Sequence, residues 1–223
     1  MRPFAPIRGI YFDLWNTLAF TAAPANPILL LAAAFGLHAT PDWRGTIERA
    51  MMTRRLSGIG EALDAIATAT GRTVGPGATR RDLVLAWGEA NNGNRLYPDA
   101  LPTLRALRRP VPGREPIRIG VLSNTQSFDL DFMRREGLEA LLDEICLSCD
   151  CGALKPDPEL FRLAAARLGL PPGQILMVGD RRREDVDGAL SAGMQAILLD
   201  RTGGSQGALR SLSDLPRSLM TSS

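Results

Sequence analysis

The stretch GIYFDLWNT, residues 9–17, joins a short apolar run to a polar segment that begins at Asp13. Its first four residues, Gly9–Phe12, form a continuous β-type run, which is typical of a strand buried on both faces of a parallel sheet. Open sheets of parallel strands bind ligands beyond the carboxyl ends of their strands. Asp13 is therefore the first candidate for a functional residue.

The same pattern recurs along the chain and predicts the fold. Strand-like runs alternate with helical patterns such as Pro158–Leu168 and Glu184–Ala192. The further predicted strands are Ile117–Leu122, Glu144–Ser148, Gln174–Val178 and Gln195–Leu199. Strand and helix in alternation indicate an α/β fold with a doubly wound parallel sheet, a Rossmann-like core.

Between the first strand and Tyr97 the pattern changes to helices alone. The predicted features of this region are the N-cap and proline pairs Asn26-Pro27 and Thr40-Pro41, the helices Ile59–Thr70 and Ala78–Asn91, and the breaker-rich Gly71–Gly77 between them. We therefore expect a helical cap domain over residues 21–96, inserted into a core formed by residues 1–20 and 97–223. After Thr202 the chain is expected to be loosely held, apart from a short stretch over Leu212–Met220.

The composition excludes several classes of function. The 223 residues carry 26 basic and 24 acidic side chains, and 45% of the residues are hydrophobic. Such a near-neutral chain has no strong field that would favour nucleic acid or an anionic membrane surface. The longest apolar stretch, Pro27–Leu37, is too short to cross a bilayer, and polar residues interrupt the run from Ile7 to Phe20. We therefore expect a cytoplasmic protein without membrane or nucleic-acid partners.

Cysteine and histidine offer little catalytic chemistry here. Cys146, Cys149 and Cys151 have the spacing of a partial zinc site, but no fourth ligand lies nearby and the single histidine is His38. Buried, reduced thiols are the alternative interpretation. Because one histidine must serve every histidine-dependent mechanism, we expect catalysis to depend on carboxylates.

Five polar residues stand at predicted strand or helix ends in an order that suits phosphoryl transfer. Such a reaction needs a nucleophile, a bridging cation, donors for the phosphoryl oxygens and a fixed positive charge. Asp13 is the predicted nucleophile, and Asp13 with Asp180 offers hard oxygen ligands to Mg²⁺. Ser123 and Thr17 supply hydroxyl groups, and Lys155 supplies the positive charge.

Lys155 stands out because it is the sole lysine of the chain, whereas the other 25 basic residues are arginine. A compact ammonium fits beside a carboxylate and a phosphate where a planar guanidinium would crowd both. The alternative is a solvated lysine before the helix start at Pro156-Asp157-Pro158.

The segments FDLWNT, VLSN, GALKPDP and VGDRRREDVDGALSAGM resemble the four signature motifs of the haloacid dehalogenase-like hydrolases, in order and in spacing. The helical insert is similar to the helical cap of that superfamily. The resemblance implies a Mg²⁺-dependent phosphohydrolase that acts on a small phosphorylated metabolite through an aspartyl-phosphate on Asp13. It further implies the following roles: Thr17, Ser123 and Asn124 contact the phosphoryl group, Lys155 neutralises charge, and Asp13, Asp180, Asp185 and the carbonyl of Trp15 serve the metal.

The chain departs from the family pattern at Trp15. Most phosphatases of this family carry an aspartate there, two residues after the nucleophile, as general acid and base. A backbone carbonyl still binds metal when the side chain is tryptophan, but proton transfer is lost, which costs on the order of 10²–10⁴ in rate.

Two other functions remain open from the sequence. A 2-haloacid dehalogenase is similar in carrying an aromatic residue at the Trp15 position, but it needs no metal and offers a small neutral residue where Asp180 stands. A catalytically idle binding protein on the same fold is the third possibility. The run Arg181–Arg183 beside Asp180 can reach a second acidic group of a substrate, although such runs are normally solvated.

Overall fold

The computed structural model describes residues 6–24, 26–110, 112–113 and 115–215. The strands are β1 (Gly9–Phe12), β2 (Ala19–Thr21), β3 (Asn94–Leu96), β4 (Arg118–Ser123), β5 (Glu144–Leu147), β6 (Ile175–Gly179) and β7 (Gln195–Leu198). The helices are α1 (Pro27–Ala34), α2 (Trp43–Met52), α3 (Ile59–Thr70), α4 (Arg80–Asn92), α5 (Ala100–Leu107), α6 (Phe132–Arg135), α7 (Ser148–Cys151), α8 (Pro158–Leu168) and α9 (Gly188–Ser191).

Five parallel strands form the central sheet in the order β5-β4-β1-β6-β7. Strand β1 lies in the middle, and its last residue, Phe12, pairs with Val121 on one side and Val178 on the other. All four residues of β1 are buried, as its continuous β-type run predicts. The predicted α/β fold is confirmed, and each predicted strand lies within one residue of an observed one.

Three segments differ from the predicted elements. Thr40-Pro41 does not begin a helix, because α2 begins at Trp43 after Asp42. Strand β5 ends at Leu147 rather than at Ser148, because the Ser148 hydroxyl accepts from Thr125 N (3.0 Å) and turns the chain into α7. The helix predicted over Glu184–Ala192 begins as a π-helical turn over Arg182–Asp187 and continues as α9. Wide turns of this kind occur often at functional sites.

A short ribbon joins the helical insert to the sheet. Strands β2 and β3 pair antiparallel, with Thr21 opposite Asn94 and Ala19 opposite Leu96. The prediction that this region contains helices alone is therefore wrong at its two ends. Three residues per strand are too few to show an alternating pattern in the sequence.

Helices α1–α4, here called the cap, pack around a hydrophobic cluster of their own. Ile47, Met51 and Leu63 are fully buried in this cluster. Phe128 joins it from the loop after β4, and its ring lies 5.6 Å from that of Trp87. The division into a core (1–20 and 97–223) and a cap (21–96) remains our proposal, which this separate cluster supports.

The chain after β7 folds back onto the core. The carboxylate of Asp99, before α5, accepts from the Arg201 guanidinium (2.9 Å) and from the Ser211 hydroxyl (2.8 Å). These bonds hold the tail more firmly than predicted. A 3₁₀ turn over Leu212–Asp214 occupies part of the stretch predicted over Leu212–Met220, whose residues from 216 onward lie outside the described chain. Among the described residues, no helix is both long and apolar enough to cross a membrane.

Phe128→Ala should destabilise the protein by about 3 kcal/mol, because it opens a cavity where the core contributes a ring to the cap cluster. Urea unfolding followed by tryptophan fluorescence measures this loss. Phe128→Leu is the matched control and should lose clearly less, since it retains most of the side-chain volume. Equal stability of the alanine variant and the native protein would contradict a role for Phe128 in cap packing.

Candidate functional site

Asp13 follows the central strand of the sheet, at its carboxyl end. Its backbone N–H donates to Val178 O (2.9 Å), which ties the turn after β1 to β6. The residue is 5% exposed. Because β1 lies between β4 and β6, Ser123 at the end of β4 and Asp180 after β6 lie beside Asp13.

Lys155 is buried at the centre of this site. Its ammonium donates to Asp13 Oδ1 (2.7 Å), Asp185 Oδ1 (2.6 Å) and Leu122 O (2.9 Å), so all three N–H groups are satisfied. Burial opposes the charged form, but the two carboxylates outweigh this effect and hold the pKa of Lys155 above its ordinary value. The solvated-surface interpretation of this lysine is wrong.

Asn124 holds the main chain of Lys155. Its amide accepts from Lys155 N (2.7 Å) and donates to Lys155 O (3.0 Å), an arrangement that fixes the backbone on both sides. The contact with a phosphoryl group that we predict for Asn124 stays a prediction. No sequence pattern indicates this positioning role, because the two residues are 31 positions apart.

The two predicted hydroxyl donors differ in their surroundings. The Ser123 hydroxyl donates to Asp13 Oδ1 (3.0 Å), within reach of the predicted nucleophile. The Thr17 hydroxyl is buried and has no hydrogen-bond partner among the described residues. A buried polar group without a partner is costly, so Thr17 is able to bind an additional group. The phosphoryl contacts of both residues remain predictions.

Three carboxylates crowd into the same space. Ligand atoms of Asp13, Asp180 and Asp185 all lie within 4.8 Å of one another. Asp180 Oδ1 is buried without a hydrogen-bond partner. Burial, and then repulsion from Asp13 and Asp185, raises the pKa of Asp180 to about 7. Burial and the neighbouring Asp185 likewise raise the pKa of Asp13 to about 6, although Lys155 acts in the opposite direction.

Local backbone geometry brings Asp185 into this group. The π-helical turn returns its carboxylate toward the end of β6, where Oδ2 accepts from Arg181 N (2.9 Å). Gly179 leaves the necessary room, since a Cβ there would overlap the Asp185 carboxylate. The glycine in the GDRRRED segment is thus the sequence signal for this close approach.

The Trp15 side chain packs away from the carboxylates. Its indole N–H donates to Thr125 Oγ1 (3.0 Å), and its ring lies 5.6 Å from that of Phe132. The side chain thereby anchors the loop after β1 and has no group that could transfer a proton at neutral pH. Metal binding by the Trp15 carbonyl remains a prediction.

A cavity of about 170 Å³ extends from Asp13 toward the cap. The residues that line it beyond the carboxylate cluster include Arg44, Glu48, Trp87, Asn91, Asn94, Asp129, Arg181 and Glu184. Arg181 reaches across from the core to donate to Glu48 of the cap (3.3 Å) and also donates to Glu184 (2.8 Å). The other two arginines of the run, Arg182 and Arg183, are exposed. Apart from the arginine run, sequence reasoning missed the carboxylates and asparagines of this wall, because no motif marks them.

The three cysteines are free thiols, of which Cys146 and Cys149 are buried and Cys151 is half-buried. Cys146 and Cys149 are 0% and 4% exposed, and Cys146 Sγ lies 3.3 Å from Cys151 Sγ. Burial raises the pKa of Cys149 to about 12. Within the described ranges, the group of side chains that could hold a metal is the aspartate cluster.

Comparison with known proteins agrees with this geometry. The profile of the family described as haloacid dehalogenase-like hydrolase matches residues 7–193. A glyceraldehyde 3-phosphate phosphatase of Methanopyrus kandleri is 35% identical over 106 residues, which are 47% of this chain and 43% of that protein. A phosphoserine phosphatase of Thermus thermophilus is 29% identical over 167 residues, which are 74% of this chain and 59% of that protein. The chain thus spans about half the length of these two relatives.

Solved structures share the fold. A 2-haloacid dehalogenase of Pseudomonas syringae superposes with a TM-score of 0.62 at 23% identity, over 96% of this chain and 98% of the other. At that level of identity the likeness concerns the fold. Together with the family match over most of the sequence, these findings show that the chain belongs to the haloacid dehalogenase-like hydrolases.

Proposed function

We propose that the chain is a Mg²⁺-dependent phosphohydrolase that cleaves a small phosphate monoester through an aspartyl-phosphate on Asp13. One observation carries the proposal: the Asp13 carboxylate lies between a buried ammonium, 2.7 Å away, and a second carboxylate, Asp180, with an unpartnered buried oxygen. A dianionic phosphoryl group needs that ammonium, and a hard divalent cation needs those oxygens.

The residues fit Mg²⁺. Asp13, Asp180 and Asp185 present only oxygen donors. Burial, and then repulsion between the carboxylates, raises the pKa values of Asp13 and Asp180, and a cation would relieve that repulsion. When bound there, Mg²⁺ supplies positive charge that screens the nucleophile from the phosphate it attacks. Asp13 and Asp180 would hold it, with Asp185 and the Trp15 carbonyl in support.

The protein groups define the reaction. Asp13 Oδ1 already accepts from Lys155 and from Ser123, whereas no described donor contacts Oδ2. Oδ2 is therefore the oxygen that bonds to phosphorus as the ester P–O bond breaks and the alkoxide leaves. As Asp13 becomes an ester, the Lys155 ammonium and the Ser123 hydroxyl would turn from Asp13 Oδ1 to the equatorial oxygens and stabilise their charge; water then hydrolyses the aspartyl-phosphate, which releases phosphate and regenerates Asp13.

Several observations favour phosphate esters over haloacids as substrates. Three carboxylates face one ammonium in this cluster, so the carboxylate of a haloacid would meet net negative charge. Two of the relatives are named as phosphatases. The cytoplasm is the proposed location, and the near balance of charge argues against a nucleic-acid partner.

Asp13→Asn should abolish phosphate release, with a fall of at least about 1,000-fold, because an amide is not a nucleophile. Lys155→Arg should also be severely impaired, since a guanidinium cannot make the three ammonium contacts. The measurement is phosphate release from aryl and alkyl phosphates, with and without EDTA. If the protein released halide from 2-chloropropionate in EDTA and showed no phosphatase activity, the proposal would be wrong and the chain would be a dehalogenase.

Mg²⁺ should raise the melting temperature by about 5–10 °C at pH 7.5 and a hundredfold excess over its Kd, and the shift should vanish near pH 5. The raised pKa values mean that the folded protein binds protons more tightly than the unfolded chain. Without metal, its stability therefore falls as the pH rises from about 4 to about 7. Metal binding requires the ionised carboxylates. The increase in melting temperature caused by Mg²⁺ should therefore grow as the pH approaches about 7.

Thermal melts of Asp180→Asn check the origin of this shift. The variant should be more stable than the native protein at pH 7.5 without metal, and it should lose most of the response to Mg²⁺. Asp187→Asn, at an exposed position of the same turn, is the matched control and should respond as the native protein does. A native response to Mg²⁺ in Asp180→Asn would place the cation elsewhere.

Because Trp15 stands where most phosphatases of the family carry an aspartate, we expect the rate of hydrolysis to depend strongly on the leaving group. An unassisted alkoxide departs less readily than an aryl oxide. A plot of log kcat/KM against leaving-group pKa should be steep for the native protein and flatter for Trp15→Asp. Trp15→Asn serves as the control, because it loses the same ring contact with Phe132 but gains no acidic group. A flat plot for the native protein would mean that another group provides the proton.

A further inference from the structure

The cavity beyond the phosphoryl site holds an excess of negative charge. Glu48, Glu184 and Asp129 face it, against two cations, Arg44 and Arg181. The mechanism proposed above uses none of these five side chains. Their arrangement determines which leaving group the cavity accepts.

Both cations are poorly placed to bind a second anion. Arg181 is neutralised by two carboxylates, Glu48 at 3.3 Å and Glu184 at 2.8 Å. The Arg44 side chain is 41% exposed, lies 3.9 Å from Glu48 and sits 5.3 Å from the Trp43 ring centre. Solvent screens such a charge, so it contributes little binding energy. A carboxylate or second phosphate in the cavity would therefore find no unpaired buried cation among the described residues.

Unlike the two arginines, Asp129 has no ion-pair partner among the described residues. Its Oδ2 accepts from the indole N–H of Trp87 (2.8 Å), and no described cation forms an ion pair with it. No described donor contacts its Oδ1. The residue is half-buried and adopts a left-handed backbone conformation, with φ of 60°, on the loop after β4. It thus presents a solvent-accessible carboxylate oxygen that is free to accept from a hydrogen-bond donor of a ligand.

Two asparagines at the base of the cap add to this polar wall. The Asn94 amide, 6% exposed, donates to Asn91 Oδ1 (2.9 Å). Asn94 Oδ1 and the Asn91 amide N–H groups have no described partner, so one acceptor and one donor remain for a ligand. Apolar leaving groups would leave these groups and Asp129 unsatisfied, which disfavours their binding.

We propose that the substrate is a phosphate monoester of a short alcohol that carries a hydrogen-bond donor, a hydroxyl or an ammonium, which Asp129 binds, and that the cavity disfavours a second anionic group. The inference rests on the phosphohydrolase activity proposed above. A cavity of about 170 Å³ is close to the volume that holds one benzene-sized group, which favours a small alcohol.

Four esters of two-carbon alcohols test this proposal: ethyl phosphate, 2-hydroxyethyl phosphate, 2-aminoethyl phosphate and phosphoglycolate. They differ at the second carbon, which belongs to a methyl, a hydroxymethyl, an ammoniomethyl or a carboxylate group. Measured kcat/KM for the native protein should be about tenfold or more higher for the hydroxyl or the ammonium ester than for phosphoglycolate. Preference for phosphoglycolate over both donor-bearing esters would overturn the inference.

Asp129→Asn separates binding from the intrinsic reactivity of each ester, because the ratio of native to variant kcat/KM cancels the leaving-group effect. The amide oxygen can still accept from Trp87, so the fold should survive. The ratio should be about 10–100 for the ammonium ester, a few-fold for the hydroxyl ester, near one for ethyl phosphate and below one for phosphoglycolate. The ester with the larger ratio of native to variant kcat/KM identifies which donor Asp129 binds.

Asp131→Asn is the matched control, since it removes the same charge two residues away from a side chain that is 88% exposed. Its four ratios should all be near one. Equal losses on all four esters in Asp129→Asn would contradict recognition by Asp129. Should that variant fail to fold, the order of the four esters in the native protein decides the question. Phosphate release from acetyl phosphate and the four esters distinguishes the two proposals, because its absence with all five refutes the phosphohydrolase itself, whereas its presence with a phosphoglycolate preference refutes the specificity alone.

Discussion

The ammonium of Lys155, shared between Asp13 and Asp185, is the interaction on which the site depends. Moving three ionised groups out of water costs several kcal/mol for each, and their attraction offsets this cost only when the geometry is good and every proton is bonded. Both conditions hold, because the third N–H of the ammonium reaches Leu122 O at 2.9 Å. A cation in this position fixes the ends of three segments, those after β1, before α8 and after β6, relative to one another.

Asp180 is the exception to this balance. Lys155 bonds Asp13 and Asp185 but not Asp180, so with all three carboxylates ionised the cluster carries two more negative charges than positive ones. The fold accommodates this repulsion because the surrounding backbone is over-determined: Asn124 brackets Lys155, and Gly179 admits the Asp185 carboxylate. Functional sites commonly hold such destabilising arrangements, and the rest of the structure compensates for them. Two unbalanced charges also match the charge of a divalent cation.

The sequence predicts the sheet and the position of the acidic cluster, because both follow from short-range patterns. Buried strands followed by polar residues place Asp13, Ser123 and Asp180 at one edge of the sheet. Lys155 stands out because it is the sole lysine of the chain. Contacts between distant segments are not predictable in this way. The Glu48–Arg181 ion pair spans 133 positions, and no periodicity or motif relates its two residues. The three-residue strands β2 and β3 were missed for a related reason, since their pairing is defined by geometry rather than by pattern.

The loop after β4 belongs to the core by connectivity and to the cap by contact. Phe128 lies in the cap cluster, Asp129 accepts from Trp87, and the Ser127 hydroxyl bonds both the N–H and the carbonyl of Leu56 at 2.8 Å. These three consecutive residues therefore form part of the surface on which the cap packs. A chimaera that received only residues 21–96 from a homologue would place a foreign helix against this loop and inherit half of the recognition surface. If such proteins exchange caps during evolution, the loop after β4 would have to be exchanged as well. The segments that together select the substrate are therefore separated in the sequence.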